Sequence, residues 1–280
     1  MTIPLSVVVM TKNEERNIQR CLRALESFGE VFVVDSLSTD RTVELATKEG
    51  ARVIPFRWNG QYPKKKQWAL ENVSFSYDWV LFVDADEIVQ PELERELCDL
   101  FIRGPSAAAY SIQLDYVFEG RRLRFGQRVE KIALFRRSAG RFVDLSDLHV
   151  DRMWEVEGHY QPVIDGELGR LRGRLLHHDH DSLFSYFERH NRYSDWEAAL
   201  SLDNALALGE ESGRPFRRIA KRTFHRLPLR ALIFFAYTYI FRLGFLDGPP
   251  GLHYAVSKSF YYWQVQAKVR ELQRSRLQVG

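Results

Sequence analysis

Trp79-Val80-Leu81-Phe82-Val83-Asp84-Ala85-Asp86-Glu87 is the stretch that decides the fold, because an apolar run stops abruptly at a cluster of carboxylates. A short, continuous apolar run of this kind predicts a strand covered on both faces. Leu5 to Met10 is a second such run, apolar apart from Ser6, and it gives way to Thr11-Lys12-Asn13-Glu14. Val31 to Val34 is a third, ending at Asp35, and Arg52 to Pro55 a fourth. Helical patterns lie between them. Asn13 to Leu25 carries Ile18, Cys21, Leu22 and Leu25 at helical spacing with Asn13 as N-cap, and a helix with Val43 and Ala46 closes at Gly50. Alternation of this sort specifies an α/β fold with a mostly parallel central sheet. In such sheets ligands bind at the carboxyl ends of the strands, where this chain collects its polar residues. Taken singly, Asn13, Asp40 and Asp86 also suit turns and caps; taken together they mark a crevice.

Composition bounds the function. At 45% hydrophobic and 28% charged residues, the 280-residue chain reads as a folded globular protein. Met1 to Met10 has no basic opening and ends in polar residues, so it reads as a first strand and not as a secretion signal. Cys21 and Cys98 sit beside leucines in helical patterns, which predicts buried thiols and a reducing compartment. The chain has no GxGxxG fingerprint and no GxxxxGK[ST] loop, which argues against dinucleotide and P-loop enzymes. The net charge of +3 conceals an asymmetry: residues 213–280 hold 13 basic and 2 acidic residues, leaving the rest at −8. The boundaries expected are therefore a catalytic domain over 1–212 and a basic, aromatic-rich helical extension over 213–280.

Asp84 and Asp86 leave a strand one residue apart, so both carboxylates can face one crevice. Hard oxygen ligands there suit Mg²⁺ or Mn²⁺ shared with substrate phosphates. Three stretches then act in combination: Ser6-Val7-Val8-Val9-Met10-Thr11-Lys12-Asn13-Glu14-Glu15, Val33-Val34-Asp35-Ser36-Leu37-Ser38-Thr39-Asp40-Arg41-Thr42, and Trp79 to Glu87. Over residues 4 to about 200 the chain resembles the inverting family 2 glycosyltransferases with the GT-A fold. More narrowly, it resembles the branch that contains lipopolysaccharide-core glucosyltransferases.

The resemblance implies that Thr11, Asn13 and Glu14 line the nucleoside pocket and that Asp35 holds the base or ribose. Asp40 would stabilise the neighbouring loop or touch the donor. Asp84 would meet the ribose-diphosphate part and Asp86 would ligate the metal. Gln61 to Leu70 matches a region near the donor, in which Lys65 and Gln67 are the favoured contacts; a solvated basic patch is the alternative. The donor would be a nucleotide sugar, with UDP favoured.

Inversion needs a base for the acceptor hydroxyl, usually a carboxylate. Asp144, Asp147, Asp151, Glu155 and Glu157 are the candidates. The branch often carries a His-Glu pair here, but His149 is followed by Val150. Glu157, next to Gly158, His159 and Tyr160, is favoured, with Asp147 as runner-up. His177-His178-Asp179-His180-Asp181 is the densest imidazole-carboxylate cluster, and the resemblance implies a histidine here supporting the diphosphate or the metal; His178 is favoured over His177.

A nucleotidyltransferase, or a non-catalytic protein binding anionic glycan or nucleic acid, would also use an acidic crevice or a basic tail. Yet the chain lacks a glycine-rich, basic triphosphate loop, and no nucleic acid is expected as partner because the tail has no recognisable reading module. The expected acceptor is a glycan or lipid-linked saccharide. The uncharged run between Arg230 and Arg242 is 11 residues, whereas a spanning helix needs roughly 20. With the aromatic residues that follow, it predicts attachment to an anionic membrane surface, placing the protein in the cytoplasm, peripheral at the inner face of the cell membrane.

Overall fold

The computed structural model describes residues 2–145, 147–148, 150, 155–157, 161–178, 180, 182–202 and 229–279. It divides into two compact units, one of Met1–Val117, Arg128–Val143 and Glu155–His180, the other of Phe118–Gln127, Asp144–Trp154 and Asp181–Gly280. The boundary expected between 212 and 213 falls outside the described residues, as do His149, Asp151, Gly158, His159, Tyr160, Asp179 and Asp181.

The first unit begins with three alternating pairs of strand and helix: β1 (Ile3–Thr11), α1 (Ile18–Arg23), β2 (Phe28–Asp35), α2 (Thr42–Lys48), β3 (Arg52–Pro55) and α3 (Lys65–Asn72). There follow β4 (Trp79–Asp84), β5 (Glu87–Val89), α4 (Pro91–Arg103) and β6 (Ala109–Phe118). A two-residue β7 (Arg121–Arg122), which belongs to the second unit, precedes β8 (Val129–Arg136), β9 (Gly140–Arg141), β10 (Val163–Ile164) and β11 (Leu168–His177) of the first. The main sheet runs β3-β2-β1-β4-β8-β6-β11-β5. Its first four strands are parallel, whereas β8 pairs antiparallel with both β4 and β6. The parallel half was expected from the apolar runs. The other half is mixed: β8 enters antiparallel between β4 and β6, while β11 pairs parallel with β6 and antiparallel with β5.

The core explains the apolar runs. Val7, Val8 and Val9 of β1 and Val80, Leu81 and Val83 of β4 are all fully buried, as strands flanked on both sides must be. Each such side chain contributes about 1.5–3 kcal/mol of transfer free energy. Pro91 opens α4, and Gly104 ends it at a positive φ of 85° that other residues adopt only with strain. Gly173 of β11 faces the backbone of Leu93, so any side chain there would force α4 off the sheet.

Asn13 does not cap a helix. Its φ is 59°, and the helix begins later, at Ile18 with Asn17 preceding it. The intervening residues form a turn held by Glu14, whose carbonyl accepts the N–H groups of Asn17 and Ile18 at 3.0 and 2.9 Å.

The second unit is helical. Helix α5 (Leu183–Leu202) is followed, among the described residues, by α6 (Arg230–Phe235), a π-helical turn over Ala236–Phe241, a 3-10 turn over Gly244–Asp247 and α7 (Pro249–Val279). Helices α5 and α7 share a small core of Ala198, Tyr261 and Val265. The Tyr261 hydroxyl donates to Glu197 at 2.6 Å, and Lys258 Nζ meets His190 Nε2 at 2.9 Å. Among the described residues no helix is long and apolar enough to cross a membrane.

Candidate active site

The carboxyl ends of β1, β2 and β4 lie side by side, with Thr11 paired to Asp35 and Met10 to Asp84. The loops that leave β1 and β2 are sewn together by short polar groups. Thr11 Oγ1 donates to Asp35 Oδ1 at 2.9 Å, and Asp35 Oδ2 accepts the Ser38 N–H at 2.8 Å. The Asn13 N–H donates to Ser38 Oγ, and the Asn13 side-chain oxygen accepts the Thr39 N–H, each at 2.8 Å. Asp40 accepts from the Glu15 N–H at 3.1 Å and from the Thr42 N–H at 3.0 Å. Burial pushes the Asp40 carboxyl pKa up, but these donors and the Thr42 hydroxyl outweigh it and hold it below its ordinary value. Thr11, Asn13, Glu14, Asp35 and Asp40 thus belong to one rim, with Thr11 and Asp35 buried and Asn13 exposed.

The Asp84-Ala85-Asp86 turn has two electrostatic faces. Asp84 lies 3.8 Å from Lys66 Nζ and 3.3 Å from Lys131 Nζ. Lys131 also pairs with the buried Glu87, whose Oε2 accepts the Asp84 N–H at 2.9 Å. Desolvation pushes the Asp84 carboxyl up, yet Lys131, Lys66 and His177 overcome it and keep it well below the usual carboxylate range. For Lys131, burial pushes down while Asp84 and Glu87 prevail and hold the ammonium firmly charged.

Asp86 is different. Its Oδ1 is buried and has no hydrogen-bond donor, and its polar neighbour is His177 Nδ1 at 3.3 Å. Its backbone carbonyl accepts the His178 N–H at 2.8 Å. The His178 ring turns away: Nδ1 meets Arg20 Nη1 at 2.9 Å, and the same guanidinium meets His180 Nε2 at 2.6 Å. Burial, then Arg20 and the neighbouring histidines, lower the His178 pKa. The ring brought to the Asp86 carboxylate is therefore that of His177, not His178. Among the described residues no group of three metal-ligating side chains is formed. A buried carboxylate oxygen without a donor, beside an imidazole, nevertheless fits a divalent ion that takes its other ligands from a substrate and water.

Helix α3 delivers the cations. Lys65 Nζ donates to the Thr11 carbonyl at 2.6 Å; burial is the chief reason its pKa falls to about 8. Gln67 points elsewhere, its side-chain oxygen accepting the Phe142 N–H at 2.8 Å. The first turn of α3 is held by Glu157, which accepts the N–H groups of Lys66 and Gln67 at 2.7 and 3.0 Å. Glu157 is 0% exposed, and burial raises its pKa. Asp147, in the helical unit, is 1% exposed and accepts the Trp196 indole N–H at 2.7 Å. Both carboxylates have the contacts of positioning residues. Glu155 is more open, its side chain 14% exposed and 3.4 Å from Lys12 Nζ.

Sequence reasoning ranked His177 below His178, passed over Lys66 within the Gln61–Leu70 stretch, and missed Lys131 and Arg20. Of the two missed, Lys131 carried a signal, as a charged residue opening the apolar run to Phe135.

The mixed sheet, with an acidic turn at its strand-end crevice, is a GT-A-like α/β fold. The chain belongs to glycosyl transferase family 2, whose family model matches residues 6–153. It is 30% identical over 285 residues to the lipopolysaccharide core biosynthesis glycosyltransferase LpsC of Rhizobium meliloti (strain 1021), covering 95% of this chain and 92% of that one. It is 28% identical over 275 residues to the uncharacterized glycosyltransferase RT0209 of Rickettsia typhi (strain ATCC VR-144 / Wilmington), covering 96% of this chain and 87% of that one. Among solved structures, glucosyl-3-phosphoglycerate synthase from Mycobacterium tuberculosis, in complex with Mn²⁺, UDP-glucose and glycerol 3-phosphate, is 28% identical over 42% of this chain and 45% of that one. Its TM-score is 0.30, a likeness that assigns no ligand to this chain.

Proposed function

We propose that this family 2 glycosyltransferase transfers a sugar with inversion from a nucleotide-diphospho-sugar, UDP-linked by preference, to a hydroxyl of a glycan or lipid-linked acceptor. The observation that carries the proposal is the split of the acidic turn: Asp84 is clamped by Lys66 and Lys131, while Asp86 keeps a buried oxygen without a donor beside His177. Asp86 and His177 are the residues that would hold Mg²⁺ or Mn²⁺, and a bound ion would supply positive charge for the departing diphosphate.

This chain's own residues do the rest. The rim of Thr11, Asn13, Glu14, Asp35 and Asp40 shapes the nucleoside end of the crevice. Lys66 and Lys131 set the Asp84 carboxylate as a fixed acceptor for ribose hydroxyls. Lys65 braces the end of β1 through the Thr11 carbonyl. Glu157 positions α3 and therefore Lys66. We assign the base to a carboxylate of the 144–157 segment; of Asp147, Glu155 and Glu157, the partly open Glu155 is the one its contacts leave best able to meet an acceptor hydroxyl. The acceptor side is proposed to work at the inner face of the cell membrane, with the protein peripheral to it.

A screen of purified nucleotide sugars with Mg²⁺ or Mn²⁺ tests the reading. Release of a nucleoside diphosphate from a UDP-sugar is expected. Release of pyrophosphate from a nucleoside triphosphate and a sugar phosphate would favour nucleotidyl transfer instead.

A further inference from the structure

The segment Leu229–Asp247 of the helical unit is amphipathic with the wrong face outward. Its buried side chains are Arg230, Phe234, Thr238 and Asp247. Leu229, Leu232, Ile233, Tyr237, Ile240 and Phe241 recur at helical spacing and are exposed, Leu232 at 65% and Phe241 at 77%. A soluble surface helix shows the opposite arrangement. A contiguous apolar face of this kind marks an interaction surface.

The charges beside it select the partner. Asp247, the acidic residue of the segment, is buried and spends its carboxylate on the N–H groups of Arg124 and Phe125, at 2.9 to 3.1 Å. The Gly126 N–H donates to the Arg242 carbonyl at 2.9 Å, and Arg242 Nε donates to the Gly126 carbonyl at 3.3 Å. The loop of exposed Arg121, Arg124 and Phe125 is thereby fastened to the Arg242–Asp247 end of the segment, and the Arg121 guanidinium lies beside Gly248. Glu119, in the same loop, is paired with His253 at 2.9 Å. What the rim offers outward is cationic. Two copies meeting through this face would bring arginine against arginine. A bilayer with anionic headgroups matches both the apolar centre and the rim.

We propose that the exposed face of Leu229–Phe241, with the Arg121–Phe125 loop, is a monotopic docking surface for anionic lipid. The surface rests on the reading of the enzyme as peripheral to a membrane and gives that reading its residues. The helical run of Arg230–Phe241 extends about 18 Å, short of the roughly 30 Å hydrocarbon core, so it lies in the interface.

The full chain is tested by co-sedimentation with phosphatidylcholine vesicles, neutral or containing about one third phosphatidylglycerol. The intact protein is expected to bind the anionic vesicles, more weakly as salt rises. Leu232→Ser with Phe241→Ser should weaken binding by about tenfold or more, and Arg121→Ala or Arg124→Ala by about fivefold each. These side chains are exposed, so thermal melts should match the parent, and donor hydrolysis in vesicle-free solution should not change. Failure of the intact protein to sediment with anionic vesicles would overturn the proposal, as would undiminished binding by the double serine variant. So would a dimer in solution that the serine variant dissolves while lipid binding persists. Vesicle binding by a protein that hydrolyses no nucleotide sugar would support the surface and count against sugar transfer alone.

Discussion

The backbone N–H of Lys66 is held at 2.7 Å by the carboxylate of Glu157, and the ammonium of the same Lys66 stands 3.8 Å from Asp84. A residue ninety-one positions further along the chain therefore sets where a cation meets the acidic turn.

Glu157→Gln separates positioning from proton transfer. An amide can accept one N–H but faces the second with its own donors, so a stability loss of about 1–3 kcal/mol is expected. Donor KM should rise, while the pH profile of kcat keeps its shape. Glu155→Gln should lower kcat by about 10²–10⁴ with little change in melting temperature. Steady-state kinetics on both variants decides which carboxylate is the base; the two profiles exchanged would restore that role to Glu157.

Lys131→Ala is expected to destabilise the fold by about 3–5 kcal/mol, because it strands the buried Glu87 beside Asp84. Adding Glu87→Leu to Lys131→Met should recover much of the loss. Urea denaturation of the single and double variants measures it. Equal stability of Lys131→Ala and the parent would contradict the clamp.

Lys65 predicts a pH dependence of stability. Its folded pKa is about 8 and its ordinary value 10.5, so below pH 8 the ammonium is charged in both states and the folded state carries the burial cost. Between these values the unfolded chain binds more protons, so stability rises with pH, at up to about 1.4 kcal/mol per unit. The increment should be absent from Lys65→Met, as read from urea midpoints between the two pKa values.

How much of this was legible in the sequence follows from what is local. Continuous apolar runs announced β1, β2 and β4, and their last residues placed Thr11, Asp35 and Asp84 at one edge of the sheet. What escaped depends on register between distant strands. Leu81 pairs antiparallel with Leu134, and β8 then shifts register against β6 before Lys131, whose ammonium reaches Asp84 at 3.3 Å. His177 pairs with Glu87 across β11 and β5, which brings its ring, and not that of His178, to Asp86. No periodicity within either segment encodes those pairings. Asn13 was read as a cap because its type suits one, whereas its positive φ bends the chain so that its side chain reaches Thr39.

The most direct test of metal-dependent sugar transfer compares the intact enzyme with Asp86→Ala and Asp84→Ala in a UDP-release assay, with UDP-sugar donor and Mn²⁺ titrated from a chelated baseline. Manganese binding is followed in parallel by electron paramagnetic resonance. The intact protein should release UDP only as Mn²⁺ or Mg²⁺ is added. Asp86→Ala should lose Mn²⁺ binding and at least about 10² of the rate, and Asp84→Ala should bind Mn²⁺ but use donor poorly. Full metal-supported UDP release by Asp86→Ala, or undiminished release by the intact protein under chelation, would contradict the account.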